Sequence, residues 1–482
     1  MRKNHDILTI AVFLLALLFA YPTDAKKKKD TAPDTPKYVF YFIGDGMGLN
    51  HVYGTEIYNQ QTGFGPEKLN FNQFPVVVPV TTFSANSRVT DSAAAGTALA
   101  TGHKTNNSHL GVDADNQNVT SVAIWAKEAG FGAGVATSVG INHATPAAFY
   151  SHVENRNYYE TIAEQLVSSP LDFAAGSKFL NEVKKTGHDS EYLEEMVRKG
   201  GIAILRGDQL KNIANQSGRV VCLAADSHHG DDLVYAMDRQ PGDTELSDFV
   251  KAGIDYLYGK YAKKGFFFMV EGGAIDHSGH NDDAAGDFWE VNDMASAIDI
   301  VLAFYEQHPK ETLIVVTADH ETGGLMLGNS SSSVNAKLLA KQKNSENIIA
   351  DKFRALYTDP DNKAAAKVIS WEEVQNFFKE NLGLWDVIKV DAKTEASLKE
   401  SYDKMFVKGE NEEIVSLYSV NTKIVSDAID YADKMAGFSF AFGSHSGSPV
   451  GLFVKGAGAE QFQQCRDNTD IPKTIAKVAK YK

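Results

Sequence analysis

The sequence predicts an α/β protein, with a three-layer α/β/α sandwich around a large, mostly parallel sheet and a helical insertion. Two observations lead to this fold class. Short apolar runs rich in β-branched and aromatic residues alternate with helical patterns, as expected for a parallel sheet covered by helices on both faces. With 482 residues, of which 43% are hydrophobic, the chain is long enough to bury such a sheet in a sizeable core.

The predicted strands are short apolar runs that are bounded by turn residues. They are Tyr38–Ile43, Val76–Thr82, Gly132–Thr137, Val220–Ala224, Phe266–Val270, Thr312–Thr317 and Val450–Val454, with strand-like residues again at Phe438–Phe442. Helical patterns lie between several of these strands. They are Val119–Ala129, Thr244–Tyr261 and Asp287–Tyr305, with a last helix from about Ile471. Strands and helices that alternate in this way are typical of βαβ units.

Residues 330–437 differ in composition from the rest of the chain and are rich in Lys, Glu and Ala. Three amphipathic helices are predicted there, at Leu338–Leu356, Trp371–Asn381 and Glu395–Lys408. We therefore expect one α/β domain, made of residues 37–329 and 438–482, with a helical insertion at 330–437. The insertion is either a cap beside the functional site or a purely structural appendage, and the sequence favours neither.

The first 25 residues are predicted to be a secretory signal peptide. Arg2 and Lys3 precede an apolar run of 15 residues at Ile7–Tyr21, and Thr23–Ala25 suits a cleavage site. This run is shorter than the roughly 20 residues that a membrane-spanning helix needs, although an uncleaved anchor is the competing interpretation. We expect an exported protein, periplasmic or secreted, without a stable membrane anchor.

Charge and cysteine content restrict the partners and the architecture. The formal net charge is −15, so nucleic acid is not expected as a partner. An acidic protein that binds an anion needs local positive charge, which points to metal ions or a placed arginine. Cys222 and Cys465 are the only cysteines, so the fold is not a disulfide scaffold, and Cys222 lies in an apolar run typical of a buried thiol.

Acids and histidines follow several of the predicted strands, directly or within a few residues. They are, in chain order, Asp45, His143, Thr145 (a hydroxyl in the same group), Glu271, Asp319 and His320. In open α/β sheets, ligands bind at the carboxyl ends of the strands. We therefore expect these side chains to meet at one edge of the sheet.

The stretch Val89–Thr97 holds one serine, Ser92, directly after Asp91 and directly before an alanine-rich run. A small polar residue before such a run is typical of a helix N-terminus, where backbone N–H groups and the helix dipole favour an anion. A hydroxyl at that place would lie close to a bound phosphate. From this stretch alone, a helix cap and a nucleophile are equally good interpretations.

Further carboxylates and imidazoles would suit metal ions. Asp276 and His280 are four residues apart, and His445 lies in Gly443–Gly447, where glycines leave its ring accessible. Each pair alone is more often a loop or helix-face pair than a ligand set. Together with the acids at the strand ends, however, they are numerous enough for a two-metal site of the kind that supports in-line displacement, and this mixture of ligands suits zinc. A serine beside such an ion would be an activated nucleophile, and Arg156 is the candidate for the phosphate oxygens.

The motifs together resemble those of alkaline phosphatases. Val89–Thr97 fits the nucleophile signature of that family at every position. The other motifs follow in the family's order: Gly44–Gly48, His143–Ala147 with Arg156, Val270–His280, Thr317–His320 and Gly443–Gly447. The resemblance spans residues from about 40 to 455 apart from the insertion, and the combination is highly specific although its shorter motifs are not.

The resemblance implies a role for each of these residues. Ser92 would be the nucleophile that forms a phosphoserine, and Arg156 would hold the phosphate, with Asp91 orienting the arginine rather than capping the helix. Two zinc ions would take two ligand sets. The first is Asp276, His280 and His445, and the second, which activates Ser92, is Asp45, Asp319 and His320. A third ion, usually magnesium, would use Asp45, Thr145 and Glu271.

Two histidines depart from part of the family. His143 stands where some members carry an aspartate that supports the third site. Because imidazole is a softer ligand than carboxylate, magnesium is expected to bind more weakly there and zinc could replace it. His277 stands where some relatives have lysine, and it would either meet the phosphate through water or act only as a support.

The implied activity is hydrolysis of small phosphate monoesters, and similar enzymes are often homodimers. A phosphodiesterase of the same superfamily and a non-catalytic phosphate- or metal-binding protein are the alternatives. Thr145, Glu271 and Arg156 favour the monoesterase, since the diesterases generally lack the third site and the arginine. The complete set of ligands argues against a binding protein without catalytic activity.

Overall fold

The computed structural model describes residues 35–181, 187–225, 231–328, 332–358, 367–410, 413–415 and 420–482. The predicted signal peptide, at residues 1–25, lies outside these ranges. The strands are β1 (Tyr38–Gly44), β2 (Val76–Val80), β3 (Gly132–Thr137), β4 (Phe173–Gly176), β5 (Ala203–Arg206), β6 (Val220–Leu223), β7 (Phe266–Gly272), β8 (Thr312–Ala318), β9 (Glu321–Thr322), β10 (Met326–Leu327), β11 (Glu413–Val415), β12 (Val420–Thr422), β13 (Phe438–Ser439), β14 (His445–Ser446) and β15 (Val450–Gly456).

The helices are α1 (Leu49–Thr62), α2 (Ser92–Thr101), α3 (Val122–Glu128), α4 (Ala144–Ala147), α5 (Tyr159–Ser168), α6 (Ser190–Lys199), α7 (Leu246–Tyr261), α8 (Ala274–His280), α9 (Ala284–Gln307), α10 (Glu346–Tyr357), α11 (Trp371–Leu382), α12 (Ala392–Tyr402), α13 (Lys423–Ala436) and α14 (Asp470–Ala479). Short 3₁₀ segments lie at Phe71–Gln73, Gly207–Asn215, Ala336–Lys341 and Ala459–Gln464. Asp403–Lys408 is π-helical. In the part of the chain that the structure describes, we find no helix long and apolar enough to cross a membrane.

Nine strands form one sheet, in the order β2-β15-β8-β1-β7-β3-β4-β6-β5. β15 pairs antiparallel with both β2 and β8, and the other neighbouring pairs in this sheet are parallel. The predicted fold class, a mostly parallel sheet with helices, is therefore confirmed. β4 and β5 were missed by the sequence analysis although β6, which also has four residues, was predicted. β4 has one aromatic residue followed by Ala, Ala and Gly, and β5 is only partly buried and ends in Arg206, so neither shows the β-branched apolar run of β6.

The centre of the sheet explains why the site lies where it does. β1, β7 and β8 are buried along their whole length, so they show continuous apolar runs instead of an alternating pattern. Gly44 at the end of β1 is in register with Gly272 of β7 and with Ala318 of β8. The three strands therefore end at the same level. The residues that directly follow them, such as Asp45 and Asp319, begin at the same edge of the sheet.

The insertion has an apolar core of its own, formed by α10 to α13 around Phe353, Phe378, Val425 and Ile429. The prediction of one helix at Leu338–Leu356 was wrong. The chain forms a 3₁₀ segment at Ala336–Lys341, and α10 begins only at Glu346. Hydrogen bonds to the α/β domain break the helix there, because the Gln342 amide donates to Asp283 Oδ1 (2.8 Å) and Ser345 Oγ donates to Asp238 Oδ2 (2.5 Å).

The two cysteines are separate thiols, and both are buried. Cys222 lies in the fully buried strand β6, as its apolar surroundings in the sequence predicted. Burial raises the pKa of the Cys222 thiol far above its ordinary value. A thiol in this state is a poor nucleophile and a poor metal ligand, so the chemistry of the protein must come from other residues.

Candidate active site

Ser92 is the first residue of α2 and is completely buried. The residue that caps the helix is Asp91, whose Oδ1 accepts the Ala94 N–H at 3.0 Å. The small residues of α2 allow a neighbouring helix to approach closely. A Cβ atom added at Gly96 would lie 3.3 Å from Thr145 Cα in α4. Small side chains therefore allow α2 and α4, which carries Thr145, to pack closely.

Arg156 is held against the start of α2 by three contacts. Its Nη1 lies 3.3 Å from Asp91 Oδ2, its Nη2 donates to His143 Nε2 at 2.9 Å, and its backbone N–H donates to Ser108 O at 2.8 Å. The expectation that Asp91 orients the arginine rather than capping the helix was wrong in its second half. One carboxylate does both, because its two oxygens point in different directions.

The acids and histidines meet in three groups. In each group, one ligand atom from every member lies within 4.8 Å of the others. The first group is Asp276, His280 and His445, the second is Asp45, Asp319 and His320, and the third is Asp45, His143 and Glu271. Thr145, predicted for the third group, donates its hydroxyl to Asp45 Oδ2 at 3.4 Å. Asp45 belongs to two groups, so the second and third groups are adjacent.

The turn around Asp45 depends on the glycine that follows it. Gly46 has φ +70°, and a Cβ atom there would lie 2.9 Å from Asp276 Cα. Its backbone N–H donates to Asp319 Oδ1 at 3.1 Å. A residue without a side chain is needed for both the backbone conformation and the close approach, which explains the Gly-Asp-Gly motif.

In the first group, backbone carbonyls orient two of the imidazoles. His280 Nδ1 lies 3.0 Å from Gly443 O, and His445 Nδ1 lies 2.9 Å from Thr90 O. A carbonyl can only accept, so each Nδ1 carries the hydrogen and each neutral ring presents the lone pair of Nε2. The two Nε2 atoms lie 3.0 Å apart, close to the carboxylate of Asp276. Two facing lone pairs repel each other unless a cation lies between them, so this group fits a metal ion.

Ser92 lies at the edge of the second group. Its Oγ is 3.3 Å from His320 Nε2, and the same nitrogen lies 3.3 Å from Asp319 Oδ2 and 3.4 Å from Asp45 Oδ1. The His320 ring stacks on His445 of the first group with ring centres 3.6 Å apart. The serine hydroxyl is therefore placed beside both groups.

Buried carboxylate oxygens provide a separate test of whether the groups fit metal ions. Asp45 Oδ1, Glu271 Oε1, Asp276 Oδ2 and Asp319 Oδ2 are buried and accept no hydrogen bond from any part of the chain that the structure describes. A buried polar atom without a partner is costly, and several in one place call for an ion or ordered water. Each of the three groups contains at least one of these oxygens, which is consistent with a cation in each group.

The pKa values show how strongly these carboxylates need positive charge. Burial, reinforced by Asp276, raises the pKa of Asp319 to about 8. Burial and the neighbouring acids raise the pKa of Asp45 well above its usual range, and burial raises that of Glu271 to about 7. Burial alone would also raise the pKa of Asp276, but its histidine neighbours, His280 first, hold it well below its usual value.

Asp232 is a site residue that the sequence analysis missed. His277 lies next to the ligand Asp276, and its Nδ1 is 2.5 Å from Asp232 Oδ2. The segment that carries Asp232 is fixed by the Leu233 N–H, which donates to Ser138 O at 2.8 Å. The only sign of Asp232 in the sequence is the polar stretch that follows β6. This stretch contains several acids and histidines, so it does not indicate which acid belongs to the site.

A cleft of about 680 Å³ opens over these side chains. Asp91, His143, Arg156, His277 and His445, all selected from the sequence, are among its lining residues. The cleft is also lined by residues that the sequence analysis did not select. Among them are Val139, Asn157, Tyr159, Leu180, Tyr235 and Asn347, the last of which belongs to α10 of the insertion.

A buried serine hydroxyl beside a group of carboxylates and an imidazole, a second such group stacked against it, and an arginine held by the preceding aspartate are the features of a metal-dependent hydrolase that transfers phosphoryl groups. The sequence model of the family described as Alkaline phosphatase matches residues 36–481. The chain belongs to the alkaline phosphatase family and is a phosphoric monoester hydrolase that depends on metal ions.

Similar proteins span nearly all of the chain. Alkaline phosphatase 4 of Bacillus subtilis (strain 168) is 29% identical over 487 residues, which cover 98% of this chain and 95% of that protein. The crystal structure of a cold-active alkaline phosphatase from a psychrophilic Shewanella species is 28% identical, with a TM-score of 0.72, and covers 92% of this chain and 99% of its own. The structure of the alkaline phosphatase from the Antarctic bacterium TAB5 is 26% identical, with a TM-score of 0.63, and covers 93% and 99%.

Proposed function

We propose that the protein hydrolyses small phosphate monoesters through a phosphoserine formed at Ser92. The observation that carries this proposal is the position of Ser92 Oγ, 3.3 Å from His320 Nε2 and at the N-terminus of α2. Arg156 stands beside it, fixed by Asp91. A nucleophile, a helix N-terminus and a guanidinium thus converge on one point, which suits a phosphate dianion.

We propose zinc for the first two ligand groups and magnesium, replaceable by zinc, for the third. Two carboxylates with one imidazole, or one carboxylate with two, suit zinc, whereas the carboxylates Asp45 and Glu271 with the Thr145 hydroxyl add hard oxygen ligands to the third group. Ions bound there would stabilise the negative charge that develops on the attacking and leaving oxygens. Asp276, His280 and His445 would hold one zinc, and Asp45, Asp319 and His320 the other.

The chain's own residues account for the remaining parts of the reaction. Ser92 Oγ gives up its proton to water and attacks phosphorus in line, the ester P–O bond breaks, and the leaving alkoxide takes up one proton from water, so that the alcohol departs with no net change in protons. A water molecule then attacks the phosphoserine from the side that the alcohol has left, and inorganic phosphate is released while Ser92 Oγ regains a proton. Arg156 holds the equatorial oxygens in both steps, since its two terminal nitrogens form a planar fork.

A comparison of two esters tests this assignment against a diesterase. We expect kcat/KM for p-nitrophenyl phosphate to exceed that for bis(p-nitrophenyl) phosphate. A monoester presents three free oxygens to Arg156 and the helix start, whereas in a diester one of these three carries the second alcohol and one negative charge is lost. Steady-state kinetics on the purified protein measures both values. Faster turnover of the diester would contradict the monoesterase.

Replacing His143 with aspartate is expected to strengthen magnesium binding. His143 Nε2 already accepts a hydrogen bond from Arg156, and imidazole is a poorer ligand for magnesium than carboxylate. Titration of metal-depleted protein with magnesium should show a dissociation constant at least about tenfold lower in the variant. The exposed His103→Asp is the matched control and should leave the constant unchanged. Equal binding by wild type and His143→Asp would contradict magnesium at the third group.

Replacing Asp232 with alanine is expected to raise KM and weaken inhibition by phosphate, with a smaller change in kcat. Asp232 accepts a hydrogen bond from His277 Nδ1, which fixes the ring and directs Nε2 away from Asp232. Loss of one such bond should change the inhibition constant of phosphate by about tenfold. If Asp232 acts through His277, its replacement should add nothing in a His277→Ala background. Asp231→Asn, on the adjacent carboxylate that pairs with Lys178, is the control.

We also propose that the protein is exported and forms a homodimer. The signal-like segment at residues 1–25 supports export to the periplasm or the medium. Leu49 and Tyr53 support a contact surface, because they are one helical turn apart on α1 and are 46% and 54% exposed. Light scattering should give the molar mass of two chains, and N-terminal sequencing of the secreted protein should identify the cleavage point.

A further inference from the structure

The cleft lined by Arg156 and His445 has room for much more than a phosphate group. Its volume of about 680 Å³ lies in the range of pockets that enclose drug-sized ligands. We propose that this cleft includes a subsite for a neutral, hydroxyl-bearing leaving group such as a sugar, with Asn347 of the insertion as its specificity-determining residue. This proposal rests on the proposed hydrolysis of phosphate monoesters at Ser92.

The hydrogen-bonding groups of the cleft suit hydroxyls. Asn157 and Asn347 are both lining residues, and no side-chain hydrogen bond of either amide occurs among the described residues. An amide offers both donors and an acceptor, as does a pair of neighbouring hydroxyls on a sugar. Val139 and Leu180 provide apolar surface in the same cleft, against which the C–H face of a sugar can pack.

The charges of the cleft disfavour an anionic leaving group. Arg156 is the only arginine or lysine among the described residues that line it, and Asp91 already neutralises this arginine. Asp231 and Asp232 also line the cleft, so a second negative group on the substrate would meet carboxylates without a free cation. Asp231 is paired with Lys178 and Asp232 with His277, so a cationic leaving group is not strongly favoured either. A neutral alcohol fits this balance.

The two residues before Asn347, at the start of α10, are anchored by hydrogen bonds to two aspartates. The Ser345 N–H donates to Asp238 Oδ1 at 3.0 Å, and the Glu346 N–H donates to Asp283 Oδ2 at 2.9 Å. Asp283 follows His280 by three residues, so the segment that carries a ligand of the first group also anchors α10. These bonds fix the backbone that leads into Asn347, so only the side chain of Asn347 has to be ordered when a leaving group binds, which lowers the entropy cost of selection.

The test compares two monoesters in wild type and in Asn347→Leu, which keeps the approximate size and removes the donor and the acceptor. We expect kcat/KM for glucose 6-phosphate to fall by roughly five- to tenfold, the effect of one lost hydrogen bond. For p-nitrophenyl phosphate, whose aryl group needs no such bond, the change should stay within about twofold. Inhibition by inorganic phosphate should not change, since Asn347 belongs to none of the three ligand groups.

Two further variants keep the proposal open to refutation. Asn347→Asp places a carboxylate in the first turn of α10, where it is tolerated, and exchanges the amide donor for a negatively charged acceptor, so it should also lower the ratio of sugar to aryl turnover. Lys343→Ala, exposed on the same segment and outside the cleft, should leave the ratio unchanged. Equal losses with both esters, or an unchanged ratio in both Asn347 variants, would overturn the subsite. A wild-type protein without turnover of either ester would instead contradict the proposed function.

Discussion

Ser92→Ala is expected to lower kcat/KM for an aryl phosphate by roughly 10³- to 10⁶-fold, the range seen when a hydrolase loses its nucleophile. Ser92 Oγ is the hydroxyl that lies beside His320 Nε2 at the start of α2. The fold should survive, because alanine is a good helix former and the cap of α2 comes from Asp91. Steady-state kinetics and an unchanged Tm would together show that chemistry, and not folding, has been lost.

The covalent intermediate gives this prediction a second readout. Protein quenched in acid during turnover should carry one phosphate on the peptide that contains Ser92, and the variant should carry none. Ser87→Ala, a serine five residues upstream and outside the ligand groups, is the matched control and should keep both the activity and the label. Activity of Ser92→Ala within tenfold of wild type would show that another group, or water, attacks the phosphorus.

Removal of metal ions is expected to have the next largest effect, with loss of nearly all activity and a lower Tm. Carboxylates from Asp45, Glu271, Asp276 and Asp319 are buried within a few ångströms of one another. Without cations they repel each other and leave oxygens without partners. Each ion present at about 100 times its dissociation constant contributes about 2.7 kcal/mol to the free energy of unfolding, so three ions give a large shift.

Dialysis against a chelator, followed by calorimetry and an activity assay, measures both effects. Zinc and magnesium added back together should restore the activity, whereas magnesium alone should not. A variant of the first group, His445→Ala, should lose about one equivalent of zinc by elemental analysis. The exposed His103→Ala should keep all of it. Activity and Tm that do not respond to chelation would exclude the metal assignment.

Much of the fold could be predicted because its signals are local. β1, β7 and β8 are buried on both faces, so each is a continuous apolar run whose end is visible in the sequence. Asp45 and Asp319 follow those ends directly, and the rule that ligands gather at strand ends then places them on one edge. The same local reasoning failed for β4, which is mostly small residues, and for β5, which is only partly buried. It also failed for Leu338–Leu356, where contacts from the α/β domain interrupt the helix.

The candidate site was only partly predictable. The acids and histidines of the three groups could be selected as a set, since the family motifs mark them. Asp232 and Asn347 could not be, because a single acid in a polar stretch and an asparagine at a helix start have no distinctive pattern. Both are defined by long-range contacts: Asp232 by His277, 45 residues away, and Asn347 by the anchoring of α10 on Asp283, a separation of 63 residues for the Glu346 contact.

The sequence by itself determined the alternation of strands and helices, the buried central strands and the set of possible metal ligands. These features depend on residues that are neighbours in the chain. Only the tertiary structure decided how the possible ligands divide into groups. The order β8-β1-β7 places Asp45 between Asp319 and Glu271 and makes it a member of two groups. It also decided that Asp91 both caps α2 and holds Arg156, and that the insertion reaches the cleft through Asn347. These outcomes depend on how distant segments pack, which periodicity and local propensity do not encode.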